Sequence, residues 1–261
     1  MEFTRLPGHN PGPSPLRLST LSGYAARACL VNPWAAVFAC LVLWGGGAAP
    51  AAAGEAFKIF MLGDSVTAGY GVAAGKSLPD QLQAALRARG HRVRVINGGV
   101  SGDTTAGGAA RIGWALKAKP DAVIVGLGGN DALRGIDPAA TRANLDAILT
   151  RLGRAGVPAL LAGWKSPRNL GPEYVSDFEA VFPALARKHG VLFYPFILRG
   201  VALKPGLNQG DGIHPNARGV AAMVGGMLPL VERLIARIGK ESRAPGRPGT
   251  AITGAGRGGR P

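Results

Sequence analysis

A small polar triplet stands at the end of an apolar, strand-like run near residue 60. The run FKIFML (residues 57–62) is followed directly by Gly63, Asp64 and Ser65. In α/β proteins, ligands bind beyond the carboxyl ends of the strands, so this triplet is placed where chemistry takes place. A serine hydroxyl is a weak nucleophile until a base removes its proton. Ser65 therefore predicts catalysis only if another part of the chain supplies that base.

The chain has four histidines, and three of them are poor candidates for the base. His9 lies in the N-terminal region, while His91 and His189 lie in the polar segments RGHRV and RKHGV. Each of these two segments joins a helix-like pattern to the next strand, which predicts solvated turns at the end of the sheet opposite Ser65. His214 remains as the candidate base, in the loop DGIHPN before the last helix.

Asp211 shortly precedes His214, and Gly212 between them permits a tight turn. This spacing can bring the carboxylate to one imidazole nitrogen and leave the other nitrogen facing Ser65. A carboxylate in that place fixes the imidazole tautomer and stabilises the imidazolium that forms when serine attacks. A D-x-x-H motif alone is weak evidence. Together with the strand-end motifs GDS and GGND, it predicts acyl transfer by these three residues.

Acyl transfer also needs N–H donors directed at the developing oxyanion. The backbone N–H of Ser65, the N–H of Gly102 in VSGDT and the side-chain amide of Asn130 in GGND are the candidates. Gly102 has the alternative interpretation of an ordinary loop glycine, and Asn130 that of a helix cap or turn residue. Asp131 is a further candidate for such a structural role. Asp64 is favoured as a local acceptor of backbone N–H groups over a catalyst.

Short apolar runs alternate with segments of helical periodicity from residue 57 onward. This alternation predicts βαβ units, and hence an α/β fold with about five mostly parallel strands and helices on both faces. The loops GDSVTAG, GGVSGDT and GGND then share one edge of the sheet. The predicted strands are residues 57–62, 92–97, 121–127, 157–163 and 191–196, and the predicted helices are residues 77–90, 104–119, 138–156, 173–190 and 216–238.

Four motifs, in this order and spacing, resemble the four blocks of the SGNH (GDSL) hydrolases: GDSVTAGYG, the glycine of SGDT, GGND and DGIHP. The chain is most similar to the bacterial periplasmic branch of thioesterase I, lysophospholipase L1 and arylesterase, over about Lys58 to Val231. The resemblance implies a three-layer α/β/α sandwich of the flavodoxin-like type. It also implies a nucleophile, a base and an orienting carboxylate in Ser65, His214 and Asp211, and an oxyanion hole formed by Ser65, Gly102 and Asn130.

The same resemblance implies a serine esterase that hydrolyses carboxylic esters or thioesters through an acyl-enzyme, with no cofactor and no metal. Two alternatives remain at this point: a carbohydrate O-acetylesterase on the same fold, and a non-catalytic envelope-binding domain. Residues 164–174 and the basic C-terminal tail depart from the family pattern. The candidate substrate-binding residues are residues 164–174 together with Asp64, Leu133, Arg134, Gly135 and Ile136.

The N-terminal region has the features of a targeting segment. Arg17 and Arg27 precede an uncharged stretch, and the small residues at its end match a signal-peptidase site. Residues 1–53 are therefore predicted to be a signal peptide that directs the protein to the periplasm or the exterior. The alternative is an uncleaved inner-membrane anchor, because the stretch approaches the roughly 20 residues that span a bilayer.

Both cysteines, Cys29 and Cys40, fall inside this segment. The predicted hydrolase domain, residues 54–239, therefore has no cysteine for a disulfide, a nucleophile or a thiolate metal site. Residues 240–261 form a basic tail without apolar periodicity, which predicts disorder.

The chain carries a net charge of +15, most of it within the predicted domain. Such a charge favours peripheral contact with an anionic membrane. No basic helix with interleaved aromatic residues is present, so a nucleic-acid partner is not predicted. The expected partner is a small-molecule or lipid ester, and the sequence indicates no oligomeric state.

Overall fold

Five parallel strands form the sheet at the centre of the structure. The structure, a computed structural model, describes residues 56–241 of the chain. The predicted targeting segment (residues 1–53) and the tail beyond residue 241 lie outside the described residues. The sheet order is β2-β1-β3-β4-β5, and the strands are β1 (Phe57–Gly63), β2 (Val93–Gly99), β3 (Ala122–Gly126), β4 (Ala159–Ala162) and β5 (Leu192–Tyr194).

Helices cover both faces of this sheet. The helices α2 and α7 pack against each other, and α3, α5 and α6 pack side by side as a second layer. The two short helices, α1 and α4, follow β1 and β3 directly. The described helices are α1 (Ser65–Ala68), α2 (Leu78–Ala88), α3 (Thr105–Lys117), α4 (Gly129–Leu133), α5 (Pro138–Arg154), α6 (Pro172–His189) and α7 (Ala217–Glu241), with 3₁₀ turns at Arg168–Leu170 and Pro205–Leu207.

The predicted α/β/α architecture with five parallel strands is confirmed. The predicted long helices and strands occur with boundaries shifted by at most three residues, as is usual for boundaries read from a sequence. The last helix is longer than predicted and continues through Glu241, two residues into the predicted tail. The short helices α1 and α4 were not predicted, because a helix of four or five residues shows no apolar periodicity.

The strand order reverses direction at β1, which lies between β2 and β3. This is the topological switch point of a flavodoxin-like sheet, where ligands bind outside the carboxyl ends of the strands. At that edge Gly63 of β1 is paired with Gly99 of β2 and with Gly126 of β3. The end of β1 therefore opens into the crevice at the centre of the edge.

The helix α7 is long and apolar enough, by length and composition, to cross a membrane. Half of its apolar window is buried, and Met223, Met227, Val231 and Leu234 are fully buried in the main core. Its apolar stripe is therefore accounted for by packing on the sheet.

Candidate active site

Two strand-end glycines allow a helix to begin directly at the end of β1. A Cβ atom at Gly63 would collide with the side chain of Thr67, and one at Gly99 would collide with the backbone of Ala68. Because neither residue has a Cβ atom, α1 can pack closely against the edge of the sheet. The helix therefore begins at Ser65 itself. Ser65 is the first residue of α1 and lies above the crevice.

Asp64 is the N-cap of α1. Its carboxylate accepts a hydrogen bond of 3.0 Å from the backbone N–H of Val66, which is the local acceptor role favoured from the sequence. The residue is only 2 % exposed. Burial raises the pKa of Asp64 to about 7, against the weaker opposing effect of the Val66 hydrogen bond. The group is therefore a buried carboxyl that is easily protonated.

The hydroxyl of Ser65 lies 2.9 Å from Nε2 of His214, across 149 residues of sequence. The other imidazole nitrogen, Nδ1, lies 2.6 Å from Oδ2 of Asp211. Since the carboxylate of Asp211 can only accept a hydrogen bond, it favours the tautomer with the hydrogen on Nδ1, which leaves Nε2 free to accept from the serine hydroxyl. The three side chains thus form one continuous hydrogen-bonded chain.

The turn between Asp211 and His214 is organised around the carboxylate. Its second oxygen accepts from the backbone N–H groups of Ile213 (2.9 Å) and His214 (3.0 Å), while Gly212 has φ +71°, a conformation that favours glycine. The backbone hydrogen bond from His214, followed by its side chain and the Ile213 N–H, lowers the pKa of Asp211 to about 2. Asp211 therefore stays ionised at any ordinary pH.

Gln209 joins the loop of His214 to the loop that follows α1. Its side-chain amide donates to the carbonyl of Tyr70 at 2.7 Å and to that of Pro215 at 3.0 Å. A Cβ atom at Gly71 would collide with this amide, so the glycine leaves room for it. The ring of Tyr70 also lies against the imidazole of His214, with centroids 4.7 Å apart. The sequence analysis did not identify either Gln209 or Tyr70.

The predicted oxyanion donor Gly102 lies on the loop after β2, and Asn130 lies on α4, and hydrogen bonds join the loop to the helix. The amide of Asn130 donates to the carbonyl of Asp103 at 3.0 Å, and the guanidinium of Arg134 donates to the carbonyl of Gly102 at 2.9 Å. Gly102 has φ +79°, so it occupies a conformation that other residues rarely adopt. Its backbone is therefore held against α4 in a fixed orientation.

Arg111, on α3, fastens these loops to the strand ends. Its guanidinium donates to Asp103 at 2.7 Å, to the carbonyl of Gly98 at 2.7 Å and to the carbonyl of Gly63 at 2.9 Å. One planar cation thus joins β1, β2 and the loop of Gly102, using the fork geometry that distinguishes arginine from lysine. Arg111 belongs to none of the sequence motifs, and its most distant partner, Gly63, lies 48 residues away, so this role could not be predicted from the sequence.

Asp131 has a structural role, as the sequence indicated. It lies on α4, but its carboxylate accepts from the first residue of α3. It is fully buried and accepts from the backbone N–H of Thr105 at 2.9 Å, the first residue of α3. The hydroxyls of Thr105 and Thr141 bond to its other oxygen. The GGND motif is therefore anchored to α3 and α5 through its aspartate.

The pKa of Asp64 leads to a prediction about stability. An ordinary aspartate, as in the unfolded chain, ionises near pH 4, whereas Asp64 in the folded protein stays protonated until about pH 7. Folding is therefore progressively penalised as the pH rises from 4 to 7. We expect Asp64→Asn to raise Tm by roughly 5 °C at pH 8, with a much smaller gain at pH 4, as measured by calorimetry at both pH values.

Asp137→Asn is the matched control for this prediction, because Asp137 is also a helix N-cap that accepts a backbone N–H, but it is exposed. An equal gain for Asp64→Asn at pH 4 and pH 8 would contradict the role of burial.

An apolar cleft of about 480 Å³ runs beside Asn130 and His214. Leu133 and Ile213 are about half exposed on its walls, so the cleft presents apolar surface to solvent. Lys165 lies at its rim, 5.8 Å from the ring centre of Phe196. The lining residues are Gly129, Ala132, Leu133, Trp164, Lys165, Ser166, Pro167, Arg168, Phe196, Leu198, Ala202, Leu203, Gly212 and Ile213.

The structure brings some of the predicted substrate-binding residues to this cleft. Leu133 and residues 164–168 line it. Arg134, Gly135 and Ile136 are not among the lining residues, and the carbonyl of Ile136 accepts instead from the hydroxyl of Tyr174 at 2.7 Å. The sequence analysis missed the lining residues after β5, although several of them, in the segment FILRGVALKP, are apolar residues in a predicted loop at the same sheet edge.

The interpretation of His91 and His189 as solvated turn residues was wrong. Nε2 of His91 lies 3.3 Å from Glu232 on α7, and Nε2 of His189 lies 2.6 Å from Asp146 on α5. Neither side chain is fully exposed. Their placement at the end of the sheet opposite Ser65 is as predicted, because both precede the strands.

Comparison with known proteins places this fold and site among the hydrolases. The profile of the GDSL-like lipase/acylhydrolase family matches residues 61–222, which include all four motifs. The esterase TesA of Pseudomonas aeruginosa is 36% identical over 178 residues, which are 68% of this chain and 89% of the relative. An arylesterase of Vibrio mimicus is 39% identical over 60% of this chain and 80% of the relative. A protein of Escherichia coli K12 named thioesterase 1/protease 1/lysophospholipase L1 is 39% identical over 63% and 78%.

Solved structures lead to the same class. The SGNH-hydrolase family esterase AlinE4 is 46% identical, with a TM-score of 0.59 over 69% of this chain and 97% of its own. A crystal structure of TesA has a TM-score of 0.65 over 68% of this chain and 99% of its own. The fold, the motifs and these relatives define a hydrolase of ester bonds. The chain belongs to the GDSL-like lipase/acylhydrolase family, and its resemblance to the SGNH hydrolases is confirmed.

Proposed function

We propose that the protein is a serine esterase in which Ser65 is the nucleophile, His214 the general base and Asp211 its orienting carboxylate. The observation that carries the proposal is the continuous chain of two hydrogen bonds, 2.9 Å from Ser65 to His214 and 2.6 Å from His214 to Asp211. These distances are within the range that proton transfer to a general base requires.

In this mechanism His214 removes the proton of Ser65 as the hydroxyl oxygen attacks the ester carbonyl. The imidazolium that forms lies against Asp211, which is ionised at working pH because its pKa is about 2. His214 then donates the proton to the leaving group, and the acyl-enzyme forms. A water molecule, deprotonated by the same imidazole, attacks the acyl-enzyme. The bond between the acyl carbon and the oxygen of Ser65 breaks, that oxygen takes the proton from His214, and the acid is released.

Three donors are proposed for the oxyanion: the backbone N–H groups of Ser65 and Gly102 and the side-chain amide of Asn130. The contacts that support this are the hydrogen bonds that join the loop of Gly102 to α4, which carries Asn130. One amide hydrogen of Asn130 bonds to Asp103, and the second is available to a substrate oxygen. Donors fixed in advance stabilise the transition state without reorganisation.

Gln209 is proposed as a positioning residue that holds the loop of His214 against the loop of Ser65. Gln209→Met keeps the size of the side chain and removes both hydrogen bonds to Tyr70 and Pro215. We expect kcat for p-nitrophenyl acetate to fall roughly tenfold or more with little change in KM, because small misplacements of catalytic groups slow reactions up to about 100-fold. Steady-state kinetics measure this split.

Gln81→Met is the matched control for Gln209, because its amide also bridges two backbone carbonyls, those of Lys76 and Ala217. Equal losses of kcat in both variants would show a general effect on folding and would contradict a specific positioning role.

The apolar cleft is proposed to hold the acyl chain of the ester. Its volume of about 480 Å³ is in the range of small-molecule sites, and its walls are largely apolar. Each buried methylene contributes about 0.8 kcal/mol, which is up to fourfold in affinity. Esters of medium-chain acids are therefore the favoured substrates. Relatives of this chain are named arylesterase and thioesterase 1/protease 1/lysophospholipase L1.

A series of p-nitrophenyl esters from acetate to dodecanoate tests the proposed substrate class. We expect kcat/KM to rise with chain length until the cleft is filled. Leu133→Trp adds bulk to the cleft wall. We expect the ratio of kcat/KM for long-chain esters to kcat/KM for acetate to fall roughly tenfold in this variant, with kcat/KM for acetate nearly unchanged. Ala84→Trp adds the same ring to an exposed face of α2 and is the control.

A kcat/KM that falls as the acyl chain becomes longer would support the second candidate function, a carbohydrate O-acetylesterase. If the protein hydrolysed p-nitrophenyl acetate and acetylated sugars but no longer-chain ester, the proposal that medium-chain esters are its substrates would be replaced. The roles proposed for Ser65 and His214 would not change.

Export is also proposed, supported by the uncharged stretch of residues 28–54 that follows Arg27. N-terminal sequencing of the protein from cell fractions tests it. A start near Gly54 in the soluble envelope fraction is expected for a signal peptide, whereas retention of residues 1–53 in the membrane fraction would identify an anchor.

A further inference from the structure

The end of the sheet opposite the cleft carries a concentration of positive charge. Each long helix that precedes a strand ends there, and the loops that follow carry further cations. The exposed side chains that define this surface, called the basic face below, are Arg89, Lys117, Lys119, Arg154, Arg187 and Lys188. They come from the ends of α2, α3, α5 and α6.

Contacts between the helix ends show that these cations share one surface. A cavity of about 440 Å³ is lined together by Gly156 after α5, Gly190 after α6 and Arg237 of α7. A neighbouring cavity is lined by Lys119 and by residues at the ends of α5 and α7. Arg89 after α2 bonds to Glu232 of α7 at 3.0 Å. The four helix ends therefore surround the end of α7.

The acids among the described side chains at that end are fewer than the cations. Asp121 lines a cavity together with Lys119 and accepts from the backbone N–H of Lys58 at 2.7 Å. Glu232 is shared by Arg89 and His91, and Asp146 is shared by Lys188 and His189. Cations in the last turn of a helix are favoured by the helix dipole. Lys119, however, lies in a connection outside any helix, so the dipole alone does not account for the surface.

The chain enters the described structure at this same face. β1 begins at Phe57, at the amino end of the sheet, and residues 28–54 contain no charged side chain. Phe57 stands four positions after Ala53 in the sequence, a span of at most about 14 Å. The basic face is therefore the part of the described structure at which the uncharged segment of the sequence joins it.

We propose that the basic face is a docking surface for an anionic lipid bilayer, and that it holds the cleft toward the aqueous side. Lysine and arginine side chains near an anionic membrane each strengthen binding roughly fivefold. The occupant is a lipid surface rather than a nucleic acid because of the uncharged segment that joins the chain at this face. The inference is independent of the roles proposed for Ser65 and His214.

Sedimentation of the full chain with lipid vesicles tests the proposal. Vesicles of phosphatidylcholine with 30% phosphatidylglycerol, chosen as the anionic probe, are compared with pure phosphatidylcholine vesicles. We expect tighter binding to the anionic vesicles that weakens as salt rises. One variant neutralises four exposed cations of the basic face together (Lys117→Gln, Lys119→Gln, Arg154→Gln and Arg187→Gln). We expect its ratio of binding to anionic vesicles over binding to pure phosphatidylcholine vesicles to be at least tenfold lower than that of the parent protein.

A second variant neutralises four exposed cations at the cleft end of the molecule, namely Lys76→Gln, Arg199→Gln, Lys204→Gln and Arg218→Gln. It loses the same net charge and should keep most of the preference for anionic vesicles. Equal losses in both variants, or no preference for anionic vesicles in the parent protein, would overturn the proposal. Displacement from the vesicles by duplex DNA at equal anionic charge would assign the face to nucleic acid and would also overturn it.

Discussion

Ser65→Ala is expected to lower kcat for p-nitrophenyl esters by roughly 10⁴- to 10⁶-fold, the range found when a nucleophilic serine is removed from a hydrolase. The physical reason is that the hydroxyl bonded to His214 at 2.9 Å is the group proposed to form the covalent intermediate. Removing it leaves only binding and the oxyanion donors. The measurement is steady-state hydrolysis, with circular dichroism to show that the fold is kept.

Ser176→Ala is the control for this variant, because Ser176 is exposed on α6 and is not among the residues that line the cleft. We expect its kcat to equal that of the parent. Retention of more than about a hundredth of the parent activity by Ser65→Ala, in a preparation free of other esterases, would contradict the nucleophile assignment.

His214→Ala is expected to produce a loss of similar size. The imidazole is proposed to take the proton of Ser65 in the first step and to activate water in the second, so both halves of the reaction depend on it. Residues that act as a unit are strongly non-additive. We therefore expect the Ser65→Ala/His214→Ala double variant to be no slower than either single variant.

His189 offers a matched control, since it also bonds to an aspartate at 2.6 Å but lies at the opposite end of the sheet. His189→Ala should keep the activity of the parent and lose only stability. If both histidine variants retained activity, or if the effects of Ser65→Ala and His214→Ala were additive, the shared mechanism would be contradicted.

The strands and the main motifs could be predicted because each depends on a short window of sequence. The run DAVIVGL is apolar on both faces and became the central strand β3, buried throughout. The alternation of strands and helices predicted a parallel sheet, and a parallel sheet places every strand-end loop on one edge. That reasoning selected His214 from four histidines and brought it to the same edge as Ser65.

The supporting contacts could not be predicted, because they join residues far apart in the sequence. Arg111 bonds to Gly63 across 48 residues, and Gln209 bonds to Tyr70 across 139. Gly63 and Gly99 resemble ordinary strand-end glycines in the sequence, yet both are needed for α1 to pack on the sheet. Only the packed structure shows which atoms an added Cβ would meet.

Only some of the residues that line the cleft were predicted, because the others are brought to it by the tertiary fold. Leu133 and residues 164–168 were identified because they follow strand ends, whereas Phe196 and Ile213 reach the cleft through the path of the chain after β5. The error over His91 and His189 has a similar origin. Their carboxylate partners belong to helices distant in sequence, so a polar turn was indistinguishable from a paired, half-buried one.

The position of a covalent phosphonyl group tests the account most directly. The full chain is treated with a fluorophosphonate, digested with trypsin and analysed by mass spectrometry. We expect one modified peptide, IFMLGDSVTAGYGVAAGK (residues 59–76), with the added mass on Ser65, and modification that abolishes hydrolysis in step with labelling. A fully active preparation without an adduct, or an inactivating adduct on another residue, would contradict the account.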